Sequence, residues 1–159
     1  MTRARPESAP LRGLSVTIPV RFAECDAYGV VWHGRYPLYV EQAREALTGR
    51  FGFTATRALG IGYRVPITRL EIRYLLPALP DTSVKVTARL RRPEVARLAL
   101  DYELRDEAGA LLATAVTEQV VLNARGELLL TLPRALAELV ERILEFQDSL
   151  EGEASAEPG

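Results

Sequence analysis

The sequence predicts an α+β domain in which five antiparallel strands pack on one long amphipathic helix and a second helix follows. Three features predict it. Apolar residues recur at helical spacing over residues 36–51, successive alternating segments from residue 69 onward are joined by short turns, and a second helical stripe follows Pro133. The 159 residues, 48% apolar and 26% charged, suffice for one core and exclude a second large domain.

Residues 16–24 alternate, with Val16, Ile18, Val20 and Phe22 on one face, which predicts a strand; Pro19 places it at a sheet edge or a bulge. A turn around Asp26 to Gly29 leads to a helix of about four turns. Its apolar positions are 36, 39, 40, 43, 46, 47 and 51, Pro37 fits its first turn, and Gly49 or Gly52 ends it.

Three alternating sets then read as strands with one buried face: Leu70, Ile72, Tyr74, Leu76; Val84, Val86, Ala88, Leu90; and Leu98, Leu100, Tyr102, Leu104. The segments LPDT at residues 79–82, Pro93-Glu94 and DEAG at residues 106–109 are hairpin signals, so the strands run antiparallel. Residues 110–122 carry apolar side chains on both faces, as a central strand does. Leu136, Leu139, Val140, Ile143 and Leu144 form the stripe of the last helix. The first ten residues and residues 151–159 are aperiodic and rich in Pro, Ala, Ser and Glu, which predicts disordered tails around a domain of residues 11–150.

Composition excludes several functions. Cys25 is the only cysteine and His33 the only histidine, too few for a disulfide or a side-chain zinc cage. No apolar run approaches a membrane span, and no signal core follows Arg3, Arg5 and Arg12, so the expected location is cytoplasmic. The net charge of −1 hides an acidic C-terminus and a mildly basic body. That body suits an anionic small ligand but lacks the clustered cationic face of a nucleic-acid binder.

The stretch most able to carry chemistry is RFAECDAYGVVWHGRYPLYVEQAR, residues 21–44. Asp26 stands where the edge strand gives way to a glycine turn, and Trp32 and His33 follow within seven residues. No Ser, Thr, Asp or Asn lies between Ala27 and Pro37, so the first N–H groups of the helix lack a side-chain cap. Such donors, helped by the helix dipole, can hold a carbonyl oxygen or oxyanion, and Gly34 permits close approach. The simpler reading of Asp26 is a turn residue bonded to its own backbone two residues on. Glu41 can pair with Arg44 three residues later, and Trp32 and His33 can serve packing alone.

The run Asp26-x-x-Gly29-Val30-Val31-Trp32-His33-x-x-Tyr36, followed by Glu41-x-Ala43-Arg44, resembles the signature of the 4-hydroxybenzoyl-CoA thioesterase family of hot-dog-fold acyl-CoA thioesterases. It is nearest the bacterial branch associated with the Tol-Pal envelope system. Similarity continues through Leu70-Glu71-Ile72-Arg73-Tyr74, Pro77-Ala78 and Leu132-Pro133. The resemblance implies a five-stranded antiparallel sheet wrapped around one long central helix, paired into dimers or tetramers with sites at the subunit boundary. It implies hydrolysis of an acyl-CoA thioester with coenzyme A as part of the substrate, no other cofactor and no metal.

Carried onto this sequence, Asp26 is the nucleophile or general base, and the turn at His33 and Gly34 contacts the thioester carbonyl. Tyr36, Trp32 and Glu41 line the substrate site, and Arg91, Arg92 and Arg97 meet the nucleotide; Pro93-Glu94 departs from relatives in that loop. The alternatives are a non-catalytic acyl-CoA-binding module and a dehydratase or hydratase of the same fold. A single histidine disfavours the last.

Overall fold

The computed structural model describes residues 9–155, and its sheet follows from the alternation of apolar residues along the chain. Strand β1 (Leu14–Pro19) leads through two short 3-10 turns to helix α1 (Tyr36–Arg50). Helix α2 (Ala55–Gly60) and strands β2 (Tyr63–Arg64), β3 (Ile67–Tyr74), β4 (Ser83–Leu90), β5 (Arg97–Arg105), β6 (Leu111–Val120) and β7 (Leu122–Asn123) follow, then helix α3 (Arg134–Ser155). The main sheet is five-stranded and antiparallel, in the order β1-β4-β5-β6-β3; β2 and β7 form a small second pair.

Val84, Val86, Ala88 and Leu90 of β4 alternate into the core, as do Leu100, Tyr102 and Leu104 of β5. The buried face of α1, formed by Tyr36, Tyr39, Val40, Ala43 and Leu47, joins the same core and lies against β1 and β4. Leu136, Leu139, Val140, Ile143 and Leu144 of α3 complete it. The end of α1 docks on α3 through Phe51 and Phe146, whose rings meet at 5.9 Å, flanked by Arg50 and Arg142.

One polar side chain ties α3 to the sheet. Arg91 N–H bonds the Ala99 carbonyl on β5, so the polar groups of Leu90 point the other way, toward the β1 side. Pairing with β1 stops at Leu14 and Ala88, short of Leu90. The fully buried Gln147 takes the missing strand's place: its Oε1 accepts from Leu90 N–H at 2.8 Å and its Nε2 donates to Leu90 C=O at 3.0 Å.

Several boundaries differ from expectation. The first strand ends at Pro19 rather than running to residue 24, because the chain bends into a 3-10 turn (Phe22–Glu24) that leaves Phe22 83% exposed. Short α2, capped by the Thr54 hydroxyl accepting from Arg57 N–H, and the β2–β7 pair were not predicted. Strand β3, at the sheet edge, is only partly covered: Ile67, Leu70 and Tyr74 are all at least 40% exposed, while Ile72 packs against the core. Helix α3 continues to Ser155, five residues past the expected end of the domain. Of the expected tails at residues 1–10 and 151–159, residues 1–8 and 156–159 lie outside the described residues.

Candidate active site

The backbone of residues 24–32 makes a tight antiparallel hairpin. Trp32 N–H bonds the Glu24 carbonyl at 2.9 Å, Cys25 pairs with Val31, and Asp26 N–H bonds the Val30 carbonyl at 2.9 Å. Gly29 closes the tip with φ of 73°, a left-handed conformation that a Cβ would penalise. Asp26 therefore stands two residues beyond the Glu24–Trp32 pair from which the helix start emerges, about 7 Å along the ladder. Its Oδ1 accepts from Tyr28 N–H at 2.8 Å, the local turn bond that the simpler sequence reading anticipates. That bond engages one carboxylate oxygen and leaves Oδ2.

The helix start is uncapped. Neither the 3-10 turn (His33–Arg35) nor α1 has a side-chain cap, and the first bond within the turn runs from Arg35 N–H to the Trp32 carbonyl. The N–H groups of His33 and Gly34 precede that bond, as the sequence suggests. A Cβ built at Gly34 would lie 2.5 Å from the Trp32 ring, so the glycine is required by the indole stacked on it. On the side where a Cβ would stand, the space is filled by the neighbouring side chain. Trp32 is half-exposed, with its ring 5.2 Å from that of His33.

Four residues that sequence reasoning did not single out hold the hairpin and turn. Glu24 Oε2 accepts from Arg21 N–H and from the Tyr39 hydroxyl on α1, at 2.7 and 3.1 Å. Burial, and then the adjacent Glu24 carboxylate, push the Tyr39 hydroxyl well above its ordinary range. Val31 N–H bonds the Ala78 carbonyl, and Ala78 N–H bonds the buried Tyr36 hydroxyl. The Tyr74 hydroxyl donates to the His33 carbonyl at 2.8 Å. Tyr39 and Tyr74 read in sequence as ordinary core and strand residues, and only the fold gives their hydroxyls partners.

The hairpin thus carries Asp26 toward its tip, while Trp32, His33, Gly34 and Tyr36 form the turn at its base. Glu41 lies further along α1, paired with Arg44 and close enough to the Tyr102 hydroxyl to act on it electrostatically. Tyr102 bonds Thr117, and two residues along β6 stands the buried Gln119. Arg44 Nη1 and Gln119 Oε1 are buried without a hydrogen-bond partner. Thr117 and Gln119 are thus polar side chains buried in an otherwise apolar interior.

Arg91, Arg92 and Arg97 lie elsewhere. The hairpin follows the end of β1, opposite Ser83, whereas the arginines lie beyond Leu90 at the other end of β4, about 25 Å away. Arg91 also holds Asp101 through two nitrogens, at 2.7 and 2.5 Å, and Arg92 holds Glu141 at 3.1 Å. A shallow cleft on the outer sheet face, lined by Glu71, Arg73, Asp101 and Glu103, is a third location; its carboxylates are engaged by neighbouring arginines. Among the described residues no cluster of His, Cys, Asp and Glu forms a metal site, and no helix is long and apolar enough to cross a membrane.

Comparison with known proteins adds to this geometry. The sequence profile of the thioesterase-like superfamily matches residues 20–149. The chain is 32% identical over 115 residues, 72% of its length and 77% of the relative's, to a 1,4-dihydroxy-2-naphthoyl-CoA hydrolase of Thermosynechococcus vestitus. A hypothetical protein from Thermus thermophilus superimposes with a TM-score of 0.74 at 28% identity, over 81% of this chain and 98% of that one. A probable thioesterase from Bartonella henselae gives 0.68 at 27% identity, over 76% and 98%.

Proposed function

The chain belongs to the thioesterase-like superfamily, with the α+β hot-dog architecture and thioester-hydrolase chemistry of that family, and on this premise we propose that it hydrolyses acyl-CoA thioesters in the cytoplasm with Asp26 as the reacting carboxylate. The observation that supports the proposal is the hairpin of residues 24–32, which carries a carboxylate two ladder positions from a helix start whose first N–H groups have no cap. The thioester carbonyl oxygen docks on the N–H groups of His33 and Gly34, which stabilise the charge that develops there. Asp26 either attacks the carbonyl carbon, releasing CoA thiolate and leaving a mixed anhydride for water to cleave, or deprotonates the water that attacks. Both routes end in free carboxylic acid and CoA and require no cofactor or metal.

Trp32, Tyr36 and Glu41 line the acyl side of the proposed site. The motif at residues 26–44 supports placing the chain near the 4-hydroxybenzoyl-CoA and Tol-Pal-associated branch, while the relative from Thermosynechococcus vestitus supports aryl acyl groups as first candidates. The exposed apolar edge of β3 supports a homodimer, itself paired into a homotetramer. Antiparallel pairing of two β3 edges turns the partner end over end. Its Arg91, Arg92 and Arg97 end then approaches the hairpin end of this chain, which is how these arginines would meet the CoA phosphates.

The test compares Asp26→Asn with the wild type in a thiol-release assay over benzoyl-CoA, 1,4-dihydroxy-2-naphthoyl-CoA and aliphatic acyl-CoAs. Asparagine retains an oxygen for Tyr28 N–H, so the turn survives while the nucleophile or base is lost. Turnover is expected to fall at least about 100-fold with the melting temperature unchanged. Full activity in Asp26→Asn refutes the assignment, and acyl-CoA binding with no turnover in either protein supports a non-catalytic module instead.

A further inference from the structure

The His33–Gly34 peptide is held by more than its own turn. Its carbonyl accepts two hydrogen bonds: Tyr36 N–H, which closes the 3-10 turn, and the Tyr74 hydroxyl at 2.8 Å. A carbonyl oxygen has two lone pairs, so both are engaged. The described peptides are all trans, and in a trans peptide the C=O and N–H point in opposite directions. Anchoring the His33 carbonyl therefore fixes the direction of the Gly34 N–H, which faces away from Tyr74.

Tyr74 is well braced for this task. Its ring meets that of Tyr36 edge-on at 4.8 Å and that of His33 at 6.3 Å, with interplanar angles of 79° and 86°. It sits at the end of β3, whose ladder with β6 runs through Tyr74 opposite Ala113. The hydroxyl thus reaches the turn from a rigid sheet and not from a loop. Glycine at position 34 is where such bracing matters, because its backbone has the widest conformational freedom and a rotated 33–34 peptide would present C=O in place of N–H.

We infer that Tyr74 is a positioning residue for thioester hydrolysis: its bond to the His33 carbonyl aims and polarises the Gly34 N–H that receives the substrate oxygen. The inference rests on the proposed function and extends it to a residue outside the motif of residues 26–44. Polarisation follows from hydrogen-bond cooperativity, since a carbonyl that accepts more strongly makes the N–H of the same peptide a stronger donor. The effect is greatest in the transition state, where the oxygen carries negative charge, and slight for the neutral ground-state carbonyl.

Tyr74→Phe in the full chain removes the hydroxyl and keeps the ring contacts. Complete loss of an oxyanion donor costs about 100- to 1000-fold in kcat; misdirection of one should cost about 10- to 30-fold, with KM within about twofold. Inhibition by a CoA trifluoromethyl ketone, which presents an oxyanion, is expected to weaken in the same ratio as kcat. A CoA thioether of the same acyl length, which has no carbonyl, is expected to bind unchanged.

Tyr74→3-fluorotyrosine keeps size and hydroxyl but is the more acidic phenol, so it is expected to match wild-type kcat at neutral pH and to lose it at a lower alkaline pH than the wild type, which supplies the second arm if the phenylalanine variant does not fold. Wild-type kcat in Tyr74→Phe, a loss expressed only in KM, or a fluorotyrosine variant as slow as the phenylalanine one overturns the inference. An active wild type with an equally active Tyr74→Phe removes this inference alone. No turnover by the wild type on any thioester removes the functional reading, and this inference with it.

Discussion

Replacing Gln147 by leucine isolates the contribution of one buried amide to the docking of α3. Leucine is close to glutamine in volume, so the change leaves little cavity, but it withdraws both hydrogen bonds from Leu90. Leu90 is 4% exposed and Gln147 fully buried, so water does not replace the amide without opening the core. Each neutral backbone group stranded this way costs about 1–3 kcal/mol, and burial of the leucine side chain offsets part of the sum, leaving about 2–4 kcal/mol. For a chain of this size that corresponds to a fall in melting temperature of roughly 5–12 °C. Guanidinium unfolding followed by far-UV circular dichroism reads the difference, and an unchanged m-value shows that stability rather than compactness moved. A loss below about 1 kcal/mol would mean that the amide is not what satisfies Leu90, and the account of α3 as a substitute strand would be wrong.

Two further outcomes are expected. Gly34→Ala forces a methyl group to within 2.5 Å of the Trp32 ring, so kcat should fall at least about tenfold; the double variant with Trp32→Ala should recover much of it, and independent effects in the double-mutant cycle would refute the steric account. Burial is the main cause that holds the Tyr102 hydroxyl at about 12, above its ordinary value of 10.0, so its protonated form is favoured in the native state. The resulting stabilisation is complete below pH 10 and is lost as pH rises through about 12, an alkaline fall of up to about 3 kcal/mol. Urea midpoints between pH 8 and 11.5 should show it, and Tyr102→Phe should remove that share.

The strands β4 and β5 and the stripe of α3 were legible because each buries one face, and burial imposes a period that the residues display. Strand β3 was legible only in part: its alternation is intact, but on the face it defines Ile72 packs on the core and Tyr74 on Tyr36 while Leu70 stays 40% exposed. Phe22 extended the first strand's pattern on paper, while Pro19 and the bend after it ended the strand in the fold. The turn bond of Asp26 and the missing helix cap were local events between near neighbours and could be read directly. The bonds of Tyr74 to His33 and of Tyr39 to Glu24 span 41 and 15 residues, and no spacing rule announces them. Gln147 is the same kind of case: a lone amide on an apolar helix face, explained only by where β1 stops.

Trp32, the chain's single indole, leans on Gly34 at the mouth of the helix. Every photon that the protein emits as tryptophan fluorescence therefore originates at one spot, with no background from elsewhere in the chain. A molecule entering between the hairpin and the helix start must change the surroundings of that ring. Occupancy is then measurable by emission wavelength or quenching in unlabelled protein, including for compounds that are never turned over.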